Sequence, residues 1–154
     1  MNDDLRDLYQ EVILDHGRHP RNRRIIEDAN HHAHGENPLC GDKLMVFLKV
    51  NAAGVIDDVS FEGKGCAIST ASASLMTEVV VGKTQKQAED LFAAFHALTT
   101  GGEPPVLPED LEDDFDRLCV LAGVRDYPVR VKCATLAWHT LEAAMHDAQK
   151  VTTE

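Results

Sequence analysis

Residues 63–69 (GKGCAIS) place a cysteine at the point where an extended segment ends and a helix is predicted to begin. The residues after Cys66 carry apolar side chains at the spacing of one helical face, namely Ile68, Ala71, Leu75 and Val79. Gly63 and Gly65 permit backbone angles that a side chain would forbid, and the first amides of a helix lack intrahelical acceptors. We therefore expect a helix start that stabilises the Cys66 thiolate and makes it a better metal ligand or nucleophile than an ordinary cysteine. For a cysteine taken alone, burial as an inert packing residue is the competing interpretation.

A β-hairpin is predicted directly before this corner. Apolar residues alternate with their neighbours over residues 44–50, turn-forming residues occupy 51–54, and a second extended run returns over 55–61. Cys40 and Asp42 stand at the start of the first strand, whereas Cys66 follows the second. Antiparallel pairing of the two strands should therefore bring these three residues together.

Helices are predicted on both sides of the hairpin. An amphipathic helix covers residues 4–16, and a capping box at Thr84 and Gln87 opens another. A last helix runs from Ala134 to near the end of the chain, with Cys133 in its first turn.

Other segments are predicted to be irregular. Residues 30–38 indicate a loop because they are rich in His, Asn and Gly, and residues 104–116 indicate an exposed, proline-rich and acidic excursion. A short helix is predicted over residues 118–122, and the polar tail from Lys150 is expected to fray.

Ligand-type residues fall at the ends of these elements: Cys40, Asp42, Cys66 and Cys133. Three thiolates and one carboxylate suit tetrahedral zinc, and the same set could hold an iron–sulfur cluster at an incomplete, labile site. No CxxC pair is present, so the spacing alone leaves both metals open. A hydrolytic zinc enzyme is a third interpretation, but no glutamate or histidine that would act as a general base stands beside these motifs.

The remaining candidate ligands and charges have simpler interpretations. Cys119 is flanked by apolar residues and is interpreted as a small packing residue. The histidines of one polar segment resemble a metal cluster but are interpreted as solvated: His31, His32 and His34. The basic cluster near the N-terminus is interpreted as solvated or as a partner contact: Arg18, Arg21, Arg23 and Arg24.

Charge and length restrict the class of protein. The 154 residues carry 15 Lys and Arg against 26 Asp and Glu, and the net charge of −11 argues against a nucleic-acid or anionic-membrane surface. No apolar run approaches the roughly 20 residues of a membrane helix, and the N-terminus is unlike a targeting peptide. We therefore expect one cytoplasmic domain spanning residues 1–154, whose 4 cysteines act as ligands or reactive thiols rather than in disulfides.

Three motifs resemble those of a known family, the U-type iron–sulfur cluster assembly proteins of the IscU, SufU and NifU N-terminal group. They are residues 37–42 (NPLCGD), residues 63–69 followed by residues 71–76 (ASASLM), and residues 130–138 (RVKCATLAW). The resemblance is strongest to SufU, because residues 104–127 match the extra segment that SufU carries between its second and third cysteines. Lys132 stands where IscU has a histidine, and residues 126–129 match the chaperone-recognition segment of IscU poorly, which argues against chaperone-assisted cluster release.

The resemblance implies a small α+β fold. It consists of a three-stranded antiparallel sheet with helices packed on one face and a metal site at the end of the sheet. The third strand is expected near residues 25–27.

The resemblance also implies the site and its partners. Zinc would be bound by the full ligand set, Cys40, Asp42, Cys66 and Cys133, and a [2Fe-2S] cluster or iron is the alternative cofactor. Cys40 would accept persulfide sulfur from a SufS-type cysteine desulfurase, as a zinc-dependent sulfurtransferase or sulfur carrier that supplies the downstream assembly machinery. Arg130 matches a family position near the site. The alternative function is a scaffold on which a labile [2Fe-2S] cluster is assembled and transferred.

Overall fold

A computed structural model of the protein describes residues 3–147 and 150–152. Its helices are α1 (Asp3–Arg18), α2 (Ala67–Val80), α3 (Gln85–Thr100), α4 (Glu109–Leu118) and α5 (Pro128–Met145), with a 3₁₀ helix at Cys119–Asp126 between the last two. Its strands are β1 (His31–Asn37), β2 (Asp42–Val50), β3 (Ile56–Lys64) and β4 (Lys150–Thr152). The structure is therefore an α+β fold.

The strands form one sheet in the order β3-β2-β1-β4. β2 pairs antiparallel with both β1 and β3, which confirms the predicted hairpin and the three-stranded antiparallel sheet. β4 extends the edge by pairing parallel with β1, so the prediction that the tail frays is wrong for Lys150–Thr152.

The third antiparallel strand is β1, and two predictions about this region are wrong. Residues 25–27 are not a strand, and residues 31–37, predicted as loop, are one. Within β1 the buried residues alternate as in any half-buried strand: Ala33, Gly35 and Asn37. A Cβ at Gly35 would overlap the Thr140 hydroxyl, so the close approach of α5 explains a glycine that in the sequence indicated a loop.

The core lies between the sheet and the helices on one of its faces. α5 packs on β1 and β2, and α2 packs on β3 and α5. Trp138 of α5 is fully buried, with its ring centroid 5.9 Å from that of Phe92 and 5.2 Å from that of Phe95 on α3. α3 begins at the predicted capping box, in which Thr84 and Gln87 cap each other's backbone amides.

The predicted excursion is irregular over residues 104–108, as expected, but its acidic part is a helix. α4 buries Leu111 and Leu118 against the core, and acidic residues in its first turn interact favourably with the helix dipole. Lys83, in the turn between α2 and α3, pairs with Asp114 at 3.1 Å and ties α4 to that turn. The predicted short helix over residues 118–122 corresponds to the start of the 3₁₀ helix at Cys119–Asp126.

Most of the basic cluster is paired within the chain. Arg21 contacts Asp15 at 2.6 Å, Arg24 contacts Asp58 at 2.6 Å, and Arg23 contacts Glu62 at 3.4 Å. The Arg23 and Arg24 pairs tie the segment after α1 to β3, and the Arg21 pair ties it back to α1. The contacts favour a structural role for three of the four arginines. Within residues 3–147 and 150–152, no helix is both long and apolar enough to cross a membrane.

Candidate metal centre

The two ends of the β2–β3 hairpin converge on one carboxylate. Asp42 is the first residue of β2, and Cys66 is the N-cap of α2, just past the end of β3. The Cys66 backbone N–H donates to Asp42 Oδ1 at 2.9 Å, and the Cys66 sulfur lies 3.9 Å from Asp42 Oδ2. The predicted strand-to-helix corner is therefore confirmed, and the Ser69 N–H donates to the Cys66 sulfur at 3.4 Å as a cap.

Glycine at position 63 is required by this geometry. Gly63 has a φ of +132°, a conformation that L side chains rarely adopt, and a Cβ there would overlap the Lys43 carbonyl oxygen. A Cβ at Gly65 would lie 2.9 Å from Ser69 Oγ and 3.3 Å from Asp42 Oδ1. Gly63 thus allows β3 to approach the β2 backbone closely, and Gly65 allows the chain to pass close to the Asp42 carboxylate.

Cys40 lies in the short turn between β1 and β2. Its backbone N–H donates to the Asn37 carbonyl at 3.2 Å, and the next residue, Gly41, has a φ of +71°. The Cys40 side chain is partly exposed. A cysteine in such a turn can move more readily than one inside a helix.

Cys133, on α5, lies next to the turn that carries Cys40. Its sulfur is fully buried, lies 3.1 Å from the Cys40 sulfur and accepts from Asn37 Nδ2 at 3.7 Å. The prediction that Cys133 lies in the first turn of the last helix is wrong, because α5 begins at Pro128 and Cys133 lies in its second turn. Proline is well suited to the first position of a helix, since its missing N–H would have no acceptor there. The orphan amides at the helix start therefore do not face the Cys133 sulfur.

Three of the expected ligands offer donor atoms that all lie within 4.8 Å of one another: Cys40, Asp42 and Cys133. The Cys66 sulfur lies beside this group through its contact with Asp42. Burial, followed by the contact with Cys40, raises the pKa of the Cys133 thiol far above its usual range. Both effects favour the neutral thiol of Cys133 over its thiolate in the absence of metal.

The donor set fits a zinc ion. Three sulfurs and one carboxylate match the ligand types of tetrahedral zinc sites. Asp42 is only 1% exposed, and a buried carboxylate is costly unless a cation or several donors compensate its charge. A bound divalent metal would supply that cation.

A groove of about 890 Å³ opens beside Cys66. Its walls are largely apolar, from Ile13, Ile68 and Val124, and Arg130 lies on its rim. Arg130 is exposed in the first turn of α5 and lines the same groove as Cys66. Within the described residues, no hydrogen bond joins Arg130 to a candidate ligand.

The residues interpreted as unrelated to the metal lie elsewhere. Cys119 begins the 3₁₀ helix, and burial raises the pKa of its thiol. The three histidines lie on β1, where His31 Nδ1 contacts Asp147 at 2.9 Å and His32 stacks on Phe47. None of these side chains belongs to a ligand group within the described part of the chain.

One site residue was missed by the sequence interpretation. Asn37 is fully buried and contacts both Cys40 and Cys133, but residues 30–38 were interpreted as loop. Its place in the NPLCGD motif, three residues before Cys40, was the available signal.

Comparison with known proteins gives consistent matches over most of the chain. Residues 8–134 match the family described as the NifU-like N terminal domain. The zinc-dependent sulfurtransferase SufU of Bacillus subtilis is 38% identical over 141 residues, which cover 92% of this chain and 91% of that protein. The iron-sulfur cluster assembly scaffold protein IscU of Streptococcus pyogenes is also 38% identical, over 92% of this chain and 84% of its own. The crystal structure of FiSufU from Fervidobacterium islandicum, described as an iron-sulfur cluster assembly scaffold for the SUF system, superposes with a TM-score of 0.79 at 34% identity over 88% of this chain and 94% of its own.

Proposed function

The chain belongs to the NifU-like N-terminal domain family of U-type iron–sulfur cluster assembly proteins, and on that premise we propose that it accepts persulfide sulfur at Cys40 from a SufS-type cysteine desulfurase. The observation that carries the proposal is the contrast between two neighbouring thiols. Cys40 is partly exposed in a turn, whereas Cys133, whose sulfur is 3.1 Å away, is fully buried in a helix. An incoming persulfide can reach the first and not the second.

Zinc is the cofactor that the donor set favours. Its ligands would be Cys40, Asp42, Cys66 and Cys133, and when bound it would keep the thiols ionised at neutral pH. Asp42 and Cys66 are held together by their 2.9 Å hydrogen bond, and Cys133 is held by its helix. Three ligands would therefore remain in place while Cys40 reacts.

The transfer is a thiol–disulfide type of exchange. The Cys40 thiolate attacks the terminal sulfur of the desulfurase persulfide, and a new S–S bond forms at Cys40. The former S–S bond breaks, and the desulfurase cysteine leaves as a thiolate with the electron pair of that bond. No external oxidant or reductant is needed, and the persulfide on Cys40 becomes the sulfur source for the downstream assembly machinery.

Arg130 is assigned to the mouth of the site. It lies on the rim of the groove that leads to Cys66, where a guanidinium can attract an anionic group of the partner. The exposed side chain of Tyr127 lines the same groove. We propose that the desulfurase covers this groove during transfer.

The test compares Cys40→Ser with Cys119→Ser in a desulfurase assay. Cys40→Ser should abolish stimulation of cysteine turnover, because serine cannot carry persulfide sulfur, while retaining some metal through the other three ligands. Cys119→Ser should leave zinc content and stimulation unchanged, since Cys119 is not in the ligand group.

Mass spectrometry under non-reducing conditions then locates the added sulfur after incubation with desulfurase and cysteine. We expect it on Cys40. A persulfide found only on Cys66, Cys119 or Cys133 would refute the proposal.

A second function is favoured by the IscU relative of Streptococcus pyogenes, which is as similar to this chain as SufU of Bacillus subtilis. The same cysteines would then assemble a [2Fe-2S] cluster, with the single oxygen ligand Asp42 favouring its release. Anaerobic purification distinguishes the two functions. Tightly bound, colourless zinc supports sulfur transfer, whereas a coloured and oxygen-sensitive cluster supports the scaffold.

A further inference from the structure

The three site cysteines differ in the N–H donors that reach their sulfurs. Cys133 Sγ accepts from the Asn37 side-chain amide at 3.7 Å, and Cys66 Sγ accepts from the Ser69 backbone at 3.4 Å. The donor to Cys40 Sγ, within the described part of the chain, is the Cys133 thiol at 3.1 Å. No N–H group donates to the Cys40 sulfur among the residues that the structure describes, so Cys40 differs from the other two cysteines in this respect.

Asn37 is placed to influence both of the neighbouring thiols. It ends β1 directly across from Asp42, its backbone carbonyl accepts from the Cys40 N–H at 3.2 Å, and its side chain donates to Cys133. One residue therefore closes the turn that carries Cys40 and also holds the sulfur of the buried ligand.

Packing does not account for a carboxamide at this position. Asn37 is 0% exposed, and its Oδ1 has no hydrogen-bond partner among the described residues. A buried polar atom without a partner is destabilising, and an apolar side chain of similar shape would avoid that cost. The amide N–H that faces the sulfur is the group that an apolar side chain could not supply.

A hydrogen bond to a thiolate withdraws electron density from the sulfur. The bonded thiolate is held more firmly in its position but is a weaker nucleophile, because nucleophilicity falls as the negative charge on sulfur is stabilised. Groups that bond to metal ligands in this way orient them and tune the metal. The thiolate without an N–H donor remains the most reactive of the set.

We infer that Asn37 is a positioning residue that makes Cys133 a retained, unreactive ligand and thereby leaves Cys40 as the thiolate that reacts. The inference rests on the proposed role of Cys40 as sulfur acceptor. It adds the reason why one of three cysteines is selected, and it places that reason in a side chain that is not itself a ligand.

Cobalt(II) is the probe for the test, because it occupies tetrahedral thiolate sites and its sulfur-to-metal charge-transfer band reports on the electron density at sulfur. Asn37→Leu removes the donor and keeps the branched shape of the side chain. The charge-transfer band should move to longer wavelength, while the ligand-field bands keep the pattern of a tetrahedral site. Zinc affinity, measured by chelator competition, should fall by about 10–100-fold.

Ser60→Ala is the matched control, since Ser60 Oγ is another fully buried polar atom without a partner in the described residues. Ser60 lies in the middle of β3, whereas the candidate ligands lie beyond the end of that strand. Its cobalt spectrum and zinc affinity should match those of the wild type. If Asn37→Leu does not fold, Asn37→Ser is the second variant, because the serine side chain is too short for its hydroxyl to reach the Cys133 sulfur. A charge-transfer band that stays at the wild-type position in whichever Asn37 variant binds one cobalt per chain overturns the inference.

The wild-type protein provides an independent measurement. Zinc loading turns the Cys133 thiol into a thiolate, so the side-chain amide proton of Asn37 should move downfield in the NMR spectrum. A resonance that does not move with zinc overturns the inference even if no variant folds. Neither measurement involves a desulfurase, so failure of this inference is distinct from failure of Cys40 to accept sulfur.

Discussion

Asp42 has a structural role in the hairpin and a proposed role as a metal ligand, and two substitutions separate them. Its Oδ1 accepts from the Cys66 N–H at 2.9 Å, and its side chain is 1% exposed. Asp42→Asn keeps an oxygen that can accept the same bond but removes the negative charge. Asp42→Ala removes both the acceptor and the charge.

The metal-free proteins should differ in stability. Asp42→Ala leaves the N–H of Cys66 without its acceptor, which should lower the free energy of unfolding by about 1–3 kcal/mol. Asp42→Asn should stay within about 1 kcal/mol of the wild type, because it keeps the hydrogen bond and removes a buried charge that is costly without a cation.

With zinc present, both variants should gain less stability from the metal than the wild type does. An affinity lower by about 100-fold removes roughly 2.7 kcal/mol of ligand-linked stabilisation at fixed free zinc. For a domain of this size, that corresponds to a zinc-induced rise in Tm that is smaller by about 5–11 °C. Both variants at position 42 should show this loss.

Thermal unfolding by circular dichroism, with chelator and then with buffered zinc, measures both effects. Asp126→Asn is the control, because Asp126 lines the nearby groove but is exposed and outside the ligand group. The reasoning would be refuted if Asp42→Asn retained the full zinc-induced rise, or if metal-free Asp42→Ala were as stable as metal-free Asp42→Asn.

Two further predictions concern the backbone and the pH dependence. Gly63→Ala should cost at least about 3 kcal/mol in urea unfolding, because both its φ of +132° and the Lys43 carbonyl oppose a Cβ. Gly54→Ala, at a φ of +82° with open space around it, should cost only about 1 kcal/mol, and equal costs would contradict this account. Burial lowers the pKa of His16 and of His139 below 6.5. The unfolded chain therefore binds protons to these histidines more readily than the folded protein does. The stability that the neutral histidines contribute is present above about pH 6.5 and is lost as the pH falls through their folded pKa values. In protein kept metal-free with a chelator, replacing both histidines with glutamine should make the free energy of unfolding fall less steeply as the pH is lowered. An unchanged slope of that free energy against pH would contradict this account.

Local patterns in the sequence were sufficient for the hairpin, the corner at Cys66 and the capping box of α3. Each depends on residues that are neighbours within one element or across one tight turn. The same patterns predicted that Cys40, Asp42 and Cys66 would lie together, because a hairpin relates its two ends without help from the rest of the chain.

Local patterns failed where packing between distant elements decides the structure. β1 was predicted as loop because its histidines and glycine carry no strand signal of their own. It is a strand because β2 pairs along its length and α5 covers Gly35 through Thr140. The start of α5 was predicted too late for a different reason: Pro128 is a local signal for the first helical position, and the apolar spacing did not include that turn.

The sequence by itself indicated the candidate donor set, the metals that such donors suit, and the convergence of Cys40, Asp42 and Cys66 at one end of the hairpin. Only the tertiary structure decided that Cys133 is buried, that it lies 3.1 Å from the Cys40 sulfur, and that Asn37 reaches it across 96 residues of sequence. Side-chain periodicity records which face of an element is buried, but it does not record which distant element covers that face. The contrast between the buried Cys133 and the partly exposed Cys40 arises from that covering, and therefore depends on the packing of α5 against the sheet.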